Sequence, residues 1–246
     1  MPPFEQILAL LPRCDPGQRR ELFQLLRADV PLHPLEAEWH TRAEVFLEAI
    51  RLSSDLTRRM LRGILAEAAF RVEIVNRLPG WQAGPLTGSP AYDFLLSDQG
   101  GDVRVQVKLQ RSKGGKPLDA HEGRRSLPAG MYLVETQKTR KGSRNKQETR
   151  PYRFGEFDLL AAAMYPATQQ WDKFMYTVAR WLIPDPTDRT LIFKYQPVSH
   201  QPDADWTDSF ETAVRWFRSG KRKTICAGNY PEPKPARHAS KKPRNA

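Results

Sequence analysis

Cysteine is nearly absent. Cys14 and Cys226 are the only two in 246 residues, too few for a disulfide framework or a zinc finger, and a reducing cytoplasm is the compartment that fits. Long apolar runs are missing as well: none approaches the roughly 18 residues of a membrane span, so no membrane partner is expected. Met1-Pro2-Pro3-Phe4-Glu5 has neither the basic start nor the apolar centre of a secretory leader. The five histidines are scattered, which argues against a histidine-based nuclease. His121-Glu122 lacks the second histidine of a zinc-protease helix, and Gly114-Gly115-Lys116 runs into Pro117 where a phosphate loop needs Ser or Thr. Gly-x-Ser-x-Gly and a dinucleotide fingerprint are also missing. Hydrophobic residues make up 39% of the chain and six are Trp, which is enough to build a core.

Lysine is missing from the first 103 residues, and the excess positive charge, +11 overall, is confined to two blocks. Residues 1–103 carry a net −3 and residues 154–217 a net −4, whereas residues 104–153 carry +10 and residues 218–246 carry +8. A field this localised points to a polyanion, most simply nucleic acid. An anionic membrane surface fits less well, because neither block has the apolar face of an interfacial helix.

Periodicity organises the chain. Phe4, Ile7, Leu8 and Leu11, then Leu22, Leu25 and Leu26, then Trp39, Val45, Phe46, Ala49 and Ile50 recur at helical spacing. Residues 1–56 therefore read as a helical N-terminal extension for packing or dimerisation. Ser53-Ser54-Asp55 caps a longer helix expected over 56–77, ended by Pro79-Gly80. Strands are expected over 91–97 and 103–110, joined by a hairpin turn at Asp98–Asp102. In the second, Val103, Val105, Val107 and Leu109 alternate with Arg104, Gln106, Lys108 and Gln110, giving one apolar and one polar face. Further strands are expected over 131–137 and 191–195, and Trp171, Phe174, Met175, Val178 and Trp181 space as a helix over 169–182. Phe210–Phe217 reads as a last helix. Residues 57–225 form the α/β core with basic insertions, and residues 226–246, rich in Pro and basic residues, read as a disordered tail.

Three features line up: Glu67 on a helix, Asp93 early on a strand, and Gln106-Val107-Lys108 on its hairpin partner. Residues i and i+2 of a strand share a face, so Gln106 and Lys108 act together, and the hairpin brings Asp93 beside them. A hard divalent cation wants oxygen ligands, and Mg²⁺ keeps several waters with one or two carboxylates. Asp93, the Gln106 side-chain oxygen and the Val107 carbonyl supply such a set for Mg²⁺, or for Mn²⁺ in its place. Lys108 would stabilise the scissile phosphate, and Glu67 would hold one of the cation's waters from the helix side. Three ordinary readings stand beside this one: Glu67 pairing with Arg71 one turn on, Asp93 as a plain surface acid, and Gln106 and Lys108 as the wet face of an amphipathic strand. Glu156 and Asp158, amid Phe154, Phe157 and Leu159, read as structural.

Asp93 followed by Gln106-x-Lys108, with Glu67 on the preceding helix, resembles the PD-(D/E)xK nuclease superfamily. Arg62-Gly63-Ile64-Leu65-Ala66-Glu67 and Tyr132-Leu133-Val134-Glu135 are similar in texture to bacterial type II restriction endonucleases. Two departures stand out: Gln106 holds the position of the usual acid, and Tyr92 rather than Pro precedes the Asp. The resemblance implies a restriction-endonuclease-like mixed β-sheet flanked by helices. It also implies Mg²⁺-dependent, sequence-specific cleavage of double-stranded DNA, a homodimer matching a palindrome, and a cognate DNA methyltransferase as genetic partner. Gln110, Arg111, Lys113, Lys116, Arg124, Arg125, Lys138, Arg140, Lys141, Arg144 and Lys146 are the expected DNA contacts, with Arg144, Asn145 and Gln147 suited to reading base edges. A structure-specific repair or junction-resolving nuclease, and a non-catalytic nucleic-acid-binding protein with a decayed site, are the alternatives.

Overall fold

The computed structural model describes residues 2–138 and 150–226, together with the backbone of 143, 144, 147 and 148. The expectations at Arg140, Lys141, Arg144, Asn145, Lys146 and Gln147, and the tail after Cys226, lie outside the described side chains.

The chain forms two compact units, residues 1–60 and residues 61–246. Helices α1 (Pro3–Leu10), α2 (Pro16–Asp29), α3 (Leu35–Glu38) and α4 (Ala43–Leu52) belong to the first, and α5 (Asp55–Ala69) crosses the boundary. Local chemistry accounts for their ends. Asp15 caps α2, accepting from the N–H groups of Gly17 at 2.7 Å and Gln18 at 2.9 Å, while the Gln18 side chain accepts the Asp15 N–H at 3.0 Å. Glu36 ties the turn before α4 together: it accepts from the N–H groups of Leu32 and Ala43, each at 2.5 Å, and pairs with Arg27. Burial opposes its ionisation, yet these donors hold its carboxyl down to about 2. Among the described residues, no buried hydrophobic side chain precedes Ala66.

The second unit is built on strands β1 (Gln82–Ala83), β2 (Phe94–Asp98), β3 (Gly101–Leu109), β4 (Ser112–Lys113), β5 (Lys116–Pro117), β6 (Tyr132–Glu135), β7 (Ser143–Arg144), β8 (Gln147–Glu148), β9 (Leu159–Ala163), β10 (Phe174–Val178) and β11 (Tyr195–Val198). Helices α6 (Ala120–Gly123), α7 (Tyr165–Thr168) and α8 (Phe210–Arg218) are interleaved with them. Five strands make one mixed sheet in the order β1-β2-β3-β9-β10, with β3 and β9 parallel and the other pairs antiparallel. The fold is therefore α/β, a mixed sheet flanked by helices.

Register places Phe94, Val105, Leu159 and Val178 in one row and Val107, Ala161 and Tyr176 in the next. The helices cover this face. After Ala69 the backbone of α5 widens into a π-turn over Phe70–Ile74, then tightens into a 3₁₀ turn over Val75–Arg77. Phe70, fully buried, is the hub, with ring centroids 5.0 Å from Phe94, 5.3 Å from Phe174, 6.3 Å from Tyr176 and 6.4 Å from Phe210 of α8.

The structure corrects several expectations. Residues 169–182 are not a helix: Phe174–Val178 is β10, followed by a 3₁₀ turn at Ala179–Trp181. All five residues of β10 are buried, so the run is apolar on both faces and mimics helical spacing. Its outer edge is covered where Tyr176 and Thr207 exchange backbone hydrogen bonds at 2.7 and 3.0 Å. The strand expected over 191–195 lies at Tyr195–Val198, paired with β6. Asp93 precedes β2 rather than lying within it. The expected wet face of β3 is also partly interior, because Gln106 lies opposite Leu160 of the fully buried β9 and is 1% exposed.

Candidate active site

The β2–β3 hairpin sets the site. Its two-residue turn closes at the Asp98–Gly101 pair, where Gly101 takes a φ of 102°. Arg218 of α8 clasps Asp98 through both guanidinium nitrogens. The hairpin thus brings Asp93 level with Gln106, and the Asp93 N–H donates to the Val105 carbonyl at 3.0 Å. Asp93 Oδ2 accepts from the Val107 N–H at 2.8 Å and from Gln106 Nε2 at 2.5 Å. Gln106 Nε2 also donates to the Val107 carbonyl at 3.2 Å. A carboxylate oxygen and a carbonyl oxygen therefore converge on one N–H donor.

Lys108 follows two residues on, half-buried, and among the described residues no carboxylate lies within ion-pair distance of it. Its Nζ stands 5.5 Å from the centroid of the Tyr152 ring. Glu67, half-buried one turn before Phe70, shares the field. Burial, then the charge of Asp93, raise its carboxyl to about 7, while Lys108 pulls it down. Burial likewise raises Asp93 against the opposing pull of Lys108 and the Val107 N–H. It lowers Lys108 against Asp93, Glu67 and Glu135. The helix and the β2–β3 hairpin thus place Glu67, Asp93 and Lys108 where their charges act on one another. The ordinary alternative for Glu67 is not realised, since no Glu67–Arg71 ion pair forms among the described residues.

The oxygens present are one carboxylate, one amide and one main-chain carbonyl, with Glu67 nearby. No cluster of three or more His, Cys, Asp or Glu fit to hold a metal occurs among the described residues. This set suits a hard cation such as Mg²⁺ or Mn²⁺ that retains most of its water rather than a softer metal that wants nitrogen or sulfur. Gln106 takes part only if its amide turns over to present Oε1 where Nε2 now sits.

The acids read as structural have structural partners. Asp158 receives Arg104 Nε and Nη2 at 2.9 and 2.8 Å, and Glu156 pairs with Lys138 at 2.7 Å. Several expected DNA contacts are tied internally: Arg111 to Glu135 at 3.0 Å, Lys113 to Glu122 at 3.0 Å, and Lys138 to Glu156. Gln110 is corrected outright. It is 1% exposed, with Oε1 accepting the Ala167 N–H at 3.1 Å, so it anchors the turn after β9 and does not face solvent. Lys116, Arg124 and Arg125 are exposed. Lys113 and Lys116 flank a tight turn in which Gly114 and Gly115 take φ of 59° and 78°, backbone that favours glycine. Sequence reasoning missed Tyr152 at the site; its only signal was an aromatic residue inside a basic block.

No protein-family model and no curated protein matches the chain. Among solved structures, a bacterial homing endonuclease, I-Ssp6803I, overlays on 65% of this chain and 94% of its own, with 21% identity and a TM-score of 0.36. A likeness this loose says nothing about chemistry.

Proposed function

We propose that the chain is a divalent-metal-dependent endonuclease acting on double-stranded DNA at a specific short sequence, as in a restriction system. The observation that supports this reading is the convergence of Asp93, Gln106, the Val107 carbonyl and Lys108, which has no ion-pair partner among the described residues, with Glu67 in the same field. Asp93, Gln106 Oε1 and the Val107 carbonyl would hold Mg²⁺ or Mn²⁺, which supplies Lewis acidity toward the phosphate and a more acidic water. Lys108, with no carboxylate within ion-pair distance among the described residues, would lie against a non-bridging phosphate oxygen and offset the negative charge that grows there. Glu67, poised near neutrality, accepts a proton from the attacking water. Exposed Lys116, Arg124 and Arg125 grip the backbone on either side.

One site cuts one strand, so a second copy is required for a double-strand break. Residues 1–60 suit that contact. Among the described residues they hold 18 of the 22 large hydrophobic side chains that stay exposed, Phe4, Leu25, Trp39 and Leu47 among them. Their eight Arg and nine acids nearly cancel, so two copies do not repel one another. A cytoplasmic location and a methyltransferase that protects host DNA complete the proposal.

The test is incubation of the purified protein with Mg²⁺ and a long DNA of known sequence, the ends then being sequenced. Recurrent ends at one short sequence, from a particle of twice the 28.2 kDa chain mass by light scattering, are expected. Cuts that follow junctions or flaps would mark a structure-specific nuclease instead. The Gln106–Asp93 hydrogen bond favours one other reading, a nucleic-acid-binding protein with a decayed site, and DNA left intact across many sequences would establish it.

A further inference from the structure

Tyr152 is 3% exposed and locked from several sides. The neighbouring residues Pro151 and Arg153 form isolated bridges to Gln137 and Leu191, and the Tyr152 carbonyl accepts the Ile192 N–H at 2.8 Å. Its ring meets Phe157 edge-on, with centroids 5.2 Å apart and planes at 83°. Two ammonium groups approach this fixed ring, Lys108 Nζ at 5.5 Å and Lys138 Nζ at 5.2 Å from the centroid. Their circumstances differ. Lys138 is already bonded to Glu156 at 2.7 Å, so its charge is neutralised within the protein. Lys108 has no such partner among the described residues. A lysine stem has four rotatable carbons and costs side-chain entropy to hold still. An electron-rich ring face in a partly desolvated site attracts the cation without neutralising it.

We propose that Tyr152 is a positioning residue whose ring face holds the Lys108 ammonium in place for the scissile phosphate while leaving its charge free. An acidic partner would order Lys108 equally well but would compete with phosphate for the same charge. A ring orders it and does not compete. The inference rests on the cleavage reading above and adds a residue to it.

Single-turnover cleavage at saturating DNA tests it, with DNA affinity measured separately in Ca²⁺. Tyr152→Leu should slow cleavage about tenfold with affinity unchanged, whereas Tyr152→Phe should stay within about twofold of the parent. Because Tyr152→Leu could unsettle the core, a second series replaces Tyr152 by phenylalanine carrying one, two or three ring fluorines. Fluorination drains the ring face of negative potential while nearly preserving its shape, and the rate should fall step by step. Parent protein that cuts DNA while the fluorinated series stays flat would overturn the inference and leave the cleavage reading standing. So would a Tyr152→Phe loss as large as that of Tyr152→Leu, which would put the role on the hydroxyl. Parent protein that cuts no DNA with Mg²⁺ overturns both.

Discussion

Lys108 is the residue on which the chemistry turns, because charge is useful to a substrate only when the protein has not already consumed it. Arg111, Lys113 and Lys138 are paired with internal acids, and among the described residues Lys108 is not. Lys108→Ala or Asp93→Ala should therefore reduce cleavage at least a thousandfold, roughly the scale of losing a charge-stabilising group, with DNA affinity by gel shift largely kept. Retained cutting in either variant would reject the assigned site. Gln106→Glu restores a second carboxylate beside Asp93 and should keep activity while lowering the Mg²⁺ concentration needed; complete inactivity would mean that Gln106 does something other than ligate metal. Glu67 has a further signature. Its folded-state carboxyl sits at about 7, above its ordinary 4.5, so the folded protein holds this proton more tightly than the unfolded chain does. The contribution of Glu67 to folding stability then falls as pH rises from about 4.5 through 7 and stays lower beyond. In metal-free buffer, Glu67→Gln should be more stable than the parent at pH 8, with the gap closing near pH 4. Urea unfolding at both pH values checks this, and a gap independent of pH would show that Glu67 is not held in that field.

At the scale of elements, helix and sheet are joined through one aromatic hub. Phe70 sits where α5 opens into its π-turn and touches rings from β2, β10 and α8 at once. Removing a fully buried aromatic side chain leaves a cavity the surroundings refill only in part, and Phe70→Ala should cost about 3–5 kcal/mol. Because the same helix carries Glu67 one turn earlier, loss of metal-dependent cleavage should accompany the loss of stability. A cost below about 1 kcal/mol by urea unfolding would show that the hub does not join the layers. Elements with a local cause were legible in the sequence: α2 by the spacing of Leu22, Leu25 and Leu26, the hairpin by Asp98-Gln99-Gly100-Gly101, α8 by its spacing, and β3 by its alternation. β10 was not. A strand buried on both faces has no period of two to display, and its apolar run fits a helix equally well until Thr207 is found on its edge.

Across the whole molecule, the basic block of residues 104–153 overstates the charge available to a polyanion. It holds 14 Lys and Arg, but three of its expected DNA contacts are already paired with acids of the same unit. Each phosphate contact contributes about 0.9 to the log–log slope of affinity against salt, so the slope should stay below about 10 in magnitude. A titration from 50 to 200 mM salt by fluorescence anisotropy reads it directly, and a slope matching every basic residue of the block would show the internal pairs opening on DNA.

The order of motifs and the chemistry each residue type can supply are written in the chain: an acid beside one strand, an amide and a lysine on its hairpin partner, an acid on the helix before them, and positive charge in two blocks. These are local facts, carried by turn residues, strand alternation and composition. Tertiary structure alone decided which of those groups remain free. Burial of β9 drew Gln106 and Gln110 inward, acids from other segments claimed Arg111 and Lys138, and Tyr152 came to lie against Lys108. Burial and long-range pairing depend on neighbours brought together only by the fold, so no window along the chain contains them.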